Sequence, residues 1–407
     1  MEEVLLHTPV GVRDIYGREC AVKMTIENKI NRIFNLSGYH NIQTPTFEYF
    51  DIFSKERGSV ASKNLYKFFD REGNTLVLRP DVTPSIARLV AKYYMDVNVP
   101  VKLCYNANTY INNSELQGKL KEITQLGCEL INDDSVEADA EMIALVVEAL
   151  KSVGLKEFLV EIGHVDFYKG LISECGLKNE VQNELDEMII NKNDFGVEEI
   201  LDREKVTGRV KEALLKLPEL FGSVEVLEKA KEITTNQKSL SAIKRLEKLY
   251  SILEDYGVSD YISFDLGTLS NYGYYTGIIF KGYTYGSGDY IVAGGRYDKL
   301  LSQFGKNAPS IGFAVYMDQI MMAIGAKNYT KETDYDYEVI IYDPNFRKYA
   351  LSLATKLRSI GTKTELIAKK DNIDIQEYVS FKRDDGASKI TYVSEDGAVE
   401  LDRKSVV

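Results

Sequence analysis

At 407 residues, with 44% hydrophobic and 28% charged side chains, the chain has the balance of an ordinary globular protein and room for one large domain or roughly two to three ordinary ones. Its formal net charge of −12 repels a phosphate backbone unless basic residues cluster, which argues against nucleic acid as a partner. No apolar run reaches the roughly 18 residues of a membrane span, and the charged N-terminus lacks the apolar core of a signal peptide, so a cytoplasmic protein is expected.

Cys20, Cys104, Cys128 and Cys175 are scattered without a C-x-x-C pair, which suits small buried hydrophobes better than a disulfide frame or a zinc site. His7, His40 and His164 show no metal-ligand spacing. Neither a metal nor a cofactor is called for.

In chain order, Met24, Ile26, Ile30, Ile33 and Phe34 fall near helical spacing, and Gly38 stops that helix. HNIQTPTFEYF (40–50) reads as an edge strand interrupted by Pro45. KFFD and TLVLR flank the turn REGN as a hairpin, and a helix follows Asp81 and Thr83 with Pro84 at an early position. Asp81 and Thr83 could simply cap it. Residues 101–132 read as two strands around a polar loop. Period-two spacing sets Gln125, Gly127 and Glu129 on one face, Leu126, Cys128 and Leu130 on the other. That face is either solvated or a notch whose carboxylate suits an ammonium group and whose amide can donate and accept. A helix over 135–153 and a strand over 158–168 come next. From about 170 to 257, Glu, Lys and Leu at helical spacing predict a helical insertion without strands, its charges on solvated faces.

Residues 265–320 are the centre of the chain. YYTGIIF (274–280), DYIVA (289–293) and IGFAV (311–315) predict strands, Gly294-Gly295 a break and RYDKLLSQF a helix, and IGFAV passes straight into MDQIMMAI. The stretch is either a plain antiparallel sheet with tight turns or the floor of a small-molecule pocket beside Tyr274 and Tyr275. The polar segment 327–336 reads as a linker. Strand, helix, strand, helix, strand over 337–393 then predicts a small α/β domain with parallel pairing.

Several of these stretches resemble, in order, the histidyl branch of class II aminoacyl-tRNA synthetases. GYHNIQTPTFE (38–48) is similar to that class's first motif, which carries the dimer interface. LRPDVT (78–83) resembles its amino-acid-binding stretch, and QLGCE (125–129) ends a segment similar to the second motif. YYTGIIF resembles the histidine-recognition segment, and AGGRYDKLL followed by PSIGFAV the run through the third motif. The resemblance implies an α+β fold: a synthetase-like antiparallel sheet core flanked by helices over 1–325, with the helical insertion, and a shortened anticodon-binding domain over 326–407.

By the same resemblance, Asp81, Thr83, Gln125, Glu129, Tyr274 and Tyr275 match histidine-pocket positions. The nucleotide side departs from the pattern. Aligned on Gly118 and QLGCE, the second motif's Arg and Glu, which hold ATP, are replaced by Ile111 and Asn113. The third motif's closing Arg is matched by Gln319, and the Arg that opens the histidine segment by Ser270. Adenylation needs cations on the triphosphate, and Arg suits it because its planar fork binds phosphate oxygens two at a time. Arg79, Arg88 and Arg296 remain but stand elsewhere.

Amino-acid contacts without an ATP clamp resemble the regulatory subunits of ATP phosphoribosyltransferase, a non-catalytic paralogous family. The resemblance implies a homodimer through the synthetase-like core, assembled with the short-form catalytic subunit into a hetero-octamer. It implies L-histidine as ligand, a role in the first step of histidine biosynthesis and its feedback control, and no tRNA or membrane partner. An active histidine–tRNA ligase is the alternative, favoured by the trailing α/β domain; an amino-acid-binding paralogue with another partner is a third reading.

Overall fold

The computed structural model describes residues 6–53, 60–113, 120–268, 274–325 and 337–401. The chain packs as two compact units, residues 1–13 with 27–325 and residues 14–26 with 326–407.

Helix α1 (Gly17–Leu36) buries Val22, Ile26, Ile30 and Phe34, a single stripe at four-residue steps. Met24, expected on that stripe, lies off it and is exposed. Gly38, at φ +83°, takes the left-handed conformation that ends the helix, and the Tyr39 N–H donates to the Phe34 carbonyl. The segment around Pro45 becomes β1 (His40–Asn41) and β2 (Phe47–Tyr49), which enter different sheets. The expected hairpin forms from β3 (Lys67–Phe69) and β4 (Thr75–Leu78), and β4 also pairs with β2. Helix α2 (Thr83–Tyr93) follows with Pro84 in its first turn.

Strands β5 (Val101–Tyr110) and β6 (Glu122–Ile131) form the long antiparallel pair read from the sequence. Helix α3 (Val136–Ser152) starts at Ser135, whose hydroxyl accepts the Ala138 N–H. β7 (Phe158–His164) ends earlier than expected because His164 Nδ1 accepts the Asp166 N–H and opens α4 (Val165–Cys175). The insertion therefore begins at α4 and continues through α5 (Asn179–Ile190), α6 (Asp194–Arg203) and α7 (Arg209–Leu215). It contains one short strand that the periodicity did not signal, β8 (Phe221–Gly222), which pairs with β9 (Ile262–Asp265). Between them lie α8 (Glu225–Ile233) and α9 (Gln237–Asp255).

The centre of the chain supplies β10 (Ile278–Thr284), β11 (Val292–Arg296), β12 (Ser310–Tyr316) and α10 (Met317–Ile324). The resulting nine-stranded sheet runs β1-β5-β6-β12-β11-β10-β7-β9-β8. Neighbours from β5 through β7 are antiparallel, while β1 and β9 join in parallel. This is the antiparallel core of an α+β fold.

Three expectations here are corrected. Tyr274 and Tyr275 precede the strand they were placed in: the Thr276 N–H donates to the Arg296 carbonyl, and its hydroxyl to Asp298. Gly294 and Gly295 lie inside β11 instead of breaking it. A Cβ at Gly294 would stand 2.5 Å from the Gly312 carbonyl oxygen, and one at Gly295 2.9 Å from the Tyr275 ring, so both serve close approach. The expected helix after β11 is only the short turn Leu301–Phe304, because Asp298 is held by Ser310 and Thr276 and Gly305 turns left-handed at φ +91°.

The second unit holds β13 (Glu338–Tyr342), α11 (Arg347–Ser359), β14 (Thr364–Ala368), α12 (Ile375–Asp384) and β15 (Lys389–Ser394), with β13 parallel to both other strands as read. Val339 and Ile341 pack with Val379 on one face, Ile340 with Ala350 and Ala354 on the other, which explains the unbroken apolar run of β13. A hairpin strand, β16 (Gly397–Glu400), extends the sheet and was not expected. The linker reading (327–336) lies outside the described residues. Among the described residues no helix is long and apolar enough to cross a membrane.

Candidate functional site

On one face of the sheet, Glu129 on β6 pairs in register with Gly312 on β12, and Gly312 with Gly295 on β11. Two adjacent glycines in that row leave the backbone bare beside a carboxylate. A cavity of about 500 Å³ opens over them, within the roughly 300–1,000 Å³ range of small-molecule pockets.

Asp81, Thr83, Gln125, Tyr274 and Tyr275 all line this cavity. Glu129 sits just behind, 1% exposed, in the space that a side chain at Gly312 would fill. Its Oε1 accepts from the Thr83 hydroxyl at 2.8 Å and its Oε2 from the Tyr297 hydroxyl. The Tyr274 hydroxyl donates to Asp81 Oδ2 at 3.1 Å, and Asp81 Oδ1 accepts the Thr83 N–H at 3.2 Å. Thus Asp81 does support the helix start, while the Thr83 hydroxyl is directed to Glu129. The Tyr274 ring stands edge-on to Tyr275 and Tyr297, with centroids 5.0 and 6.1 Å away. The structure brings together every residue matched to the histidine pocket.

The Gln125–Glu129 face is not solvated. Burial pushes the Glu129 carboxyl up to about 8, with Asp81 adding to the effect; the Thr83 and Tyr297 hydrogen bonds only partly oppose it. Gln125 is 6% exposed, and its Oε1 is buried without a hydrogen-bond partner. An enclosed acceptor without a donor costs stability.

Tyr297 was missed by the sequence reading. Its role comes from its hydroxyl bond to Glu129, and no local signal around Tyr297 announces that partner. Tyr290, Phe313 and Tyr316, also in the cavity wall, carried no signal either.

The other end of the cavity is lined by Ile111, Asn113, Leu120, Ile123, Asp318, Gln319 and Met322, with Gly288 to Tyr290 above α10. Gln319 Oε1 accepts the N–H groups of Gly288 and Asp289, each at 3.2 Å, tying that loop to α10. Among the described residues, the charged groups lining the cavity are Asp81, Asp289 and Asp318, all acidic. The remaining arginines are engaged elsewhere. Arg79 donates to the carbonyls of Thr44, Pro45 and Asn108, Arg88 to Glu48, and Arg296 to Asp139. Ser270 and Gly118 lie outside the described residues. Among the described residues, no group of His, Cys, Asp and Glu side chains could hold a metal ion.

Residues 11–320 match the family model of histidyl-tRNA synthetase. An ATP phosphoribosyltransferase regulatory subunit from Ruminiclostridium cellulolyticum is 42% identical over 397 residues, spanning 97% of this chain and 94% of the relative. One from Thermoanaerobacter pseudethanolicus is 43% identical over 363 residues, 89% of this chain and 94% of the relative. A Bacillus halodurans structure described as ATP phosphoribosyltransferase regulatory subunit/histidyl-tRNA synthetase superposes with TM-score 0.85 at 34% identity, covering 95% of this chain and 98% of that one. The histidyl-tRNA synthetase of Nostoc sp. PCC 7120, at TM-score 0.78 and 17% identity over 97% of this chain and 96% of that one, shares the fold. The chain belongs to the ATP phosphoribosyltransferase regulatory subunits, a family with the fold of histidyl-tRNA synthetases.

Proposed function

We propose that this protein is a non-catalytic cytoplasmic subunit that joins a short-form ATP phosphoribosyltransferase catalytic subunit in a hetero-octamer, itself dimerising through the synthetase-like core, and reports histidine levels to it. The cavity is the histidine site in this reading. Glu129, buried and held by two hydroxyls, takes the imidazole; Gln125 and Asp81, in the cavity lining, take the α-ammonium; Tyr274 and Tyr275 wall the ring. The convergence of Asp81, Thr83, Gln125, Tyr274 and Tyr275 on one cavity, with Glu129 bonded to Thr83 just behind them, carries the proposal. For histidine to regulate, it must favour one assembly state, with a coupling of about 1–3 kcal/mol.

The competing reading is a histidine–tRNA ligase, favoured by the family model and the full-length fold match to a synthetase. Adenylation requires cations on phosphate, whereas the charged lining among the described residues is acidic. ATP–pyrophosphate exchange with histidine separates the two. The expected result is no exchange, with calorimetric binding of histidine and co-purification with a short catalytic subunit. Histidine-dependent exchange would establish the ligase instead.

A further inference from the structure

We infer that Arg245, in the helical insertion and outside the cavity, is a positioning residue that holds Tyr297 against Glu129; this rests on the cavity being the ligand site. The connection is a triad of Arg245, Asp139 and Arg296, in which Asp139 and Arg296 are buried and Arg245 is partly exposed. Asp139, at the start of α3 and 0% exposed, accepts from Arg296 Nε and Nη2 on Oδ1, at 2.9 and 2.5 Å. Its Oδ2 accepts from Arg245 Nε at 2.7 Å, and Arg245 also donates to the Asp134 and Ser135 carbonyls. Arg296 spends its other donors on the Asp133 and Ser135 carbonyls and on Asp298.

Tyr297 lies between Arg296 and Asp298, and both neighbours are fixed by this network. Asp298 further accepts from the Ser310 N–H and the Thr276 hydroxyl, and Thr276 follows Tyr275 directly. The triad therefore fixes the backbone on which two cavity tyrosines stand. Removing Arg245 leaves a wholly buried carboxylate oxygen without its guanidinium, and the Asp139 plane loses one of the two forks that orient it. The effect then reaches Tyr297 through Arg296. Buried ion groups often add little net stability, so a role in fixing geometry is the better account of this triad.

The test uses the full-length protein. Arg245→Met is expected to weaken histidine binding by about three- to tenfold by calorimetry. In the ligand-free protein, amide exchange at 294–298 should speed up while that of 337–401 stays unchanged. Arg203→Met, which breaks an exposed pair with Glu184, is the control and should leave both readouts at wild-type values. If Arg245→Met does not fold, Arg245→Lys carries the test, with smaller changes in the same direction. Wild-type exchange at 294–298 in either folded variant overturns the inference. Failure of the wild type to bind histidine would sink only the proposed ligand, since the ligand-free exchange still decides the role of Arg245.

Discussion

Gly312 faces Glu129 across the β6–β12 ladder, and the Glu129 carboxylate occupies the room that a side chain at 312 would need. A Cβ built there would fall 1.5 Å from Oε2. Gly312→Ala must therefore expel the carboxylate from its hydroxyl partners. We expect a loss of stability of about 1–3 kcal/mol in urea and no measurable histidine binding. Wild-type affinity in this variant would move the ligand away from Glu129.

Removing the Tyr297 hydroxyl takes one donor from Glu129 and keeps the ring. Tyr297→Phe is expected to weaken histidine binding about tenfold, a loss typical of one hydrogen bond to a charged or strongly polar group. Combined with Glu129→Gln, the two losses should fall short of additive, because both act on one carboxyl group. Strict additivity in the double-mutant cycle would show that the two act separately.

Glu129 also predicts a pH dependence. Its folded pKa is raised from 4.5 to about 8, so the folded protein keeps a proton that the unfolded chain releases. Stability from this group is therefore full below pH 4.5, falls as pH rises toward 8, by up to about 1.4 kcal/mol per pH unit, and levels off above it. Glu129→Gln should flatten that slope, so that its urea midpoint exceeds that of the wild type at about pH 8 but not at about pH 4. Parallel profiles for the two proteins would place the titration elsewhere.

Gln125 offers a test with opposite signs. Its buried carbonyl lacks a partner in the ligand-free protein, so Gln125→Met should raise stability by about 1 kcal/mol while weakening histidine binding about tenfold. A variant that gained stability without losing affinity would make Gln125 a packing residue only.

Much of this was legible in the residues. The α1 stripe, the alternating faces of β6 and the helix start after Asp81 each depend on neighbours a few positions away, where periodicity and turn chemistry operate. Gly294 was misread because its need for a bare Cα comes from the Gly312 carbonyl on the next strand and the Phe280 ring. Tyr297 gained its meaning only from Glu129, 168 positions earlier. The charges of the insertion were read as solvated, and several are, but Arg245 turns inward to a carboxylate 106 positions away. Local pattern gives the faces; it cannot say which polar residue on a face will meet its counterion.

The cavity joins segments that the ribosome makes far apart in time. Tyr274 meets Asp81 across 193 positions, and the whole insertion is synthesised between the two halves. An emerging chain thus exposes the β5–β6 pair, with a half-built recess and an unshielded Glu129, until β11 and β12 arrive to cover it. Truncated products ending before β12 should therefore aggregate rather than yield a smaller binding module, and ligand present during translation can act only on nearly finished chains.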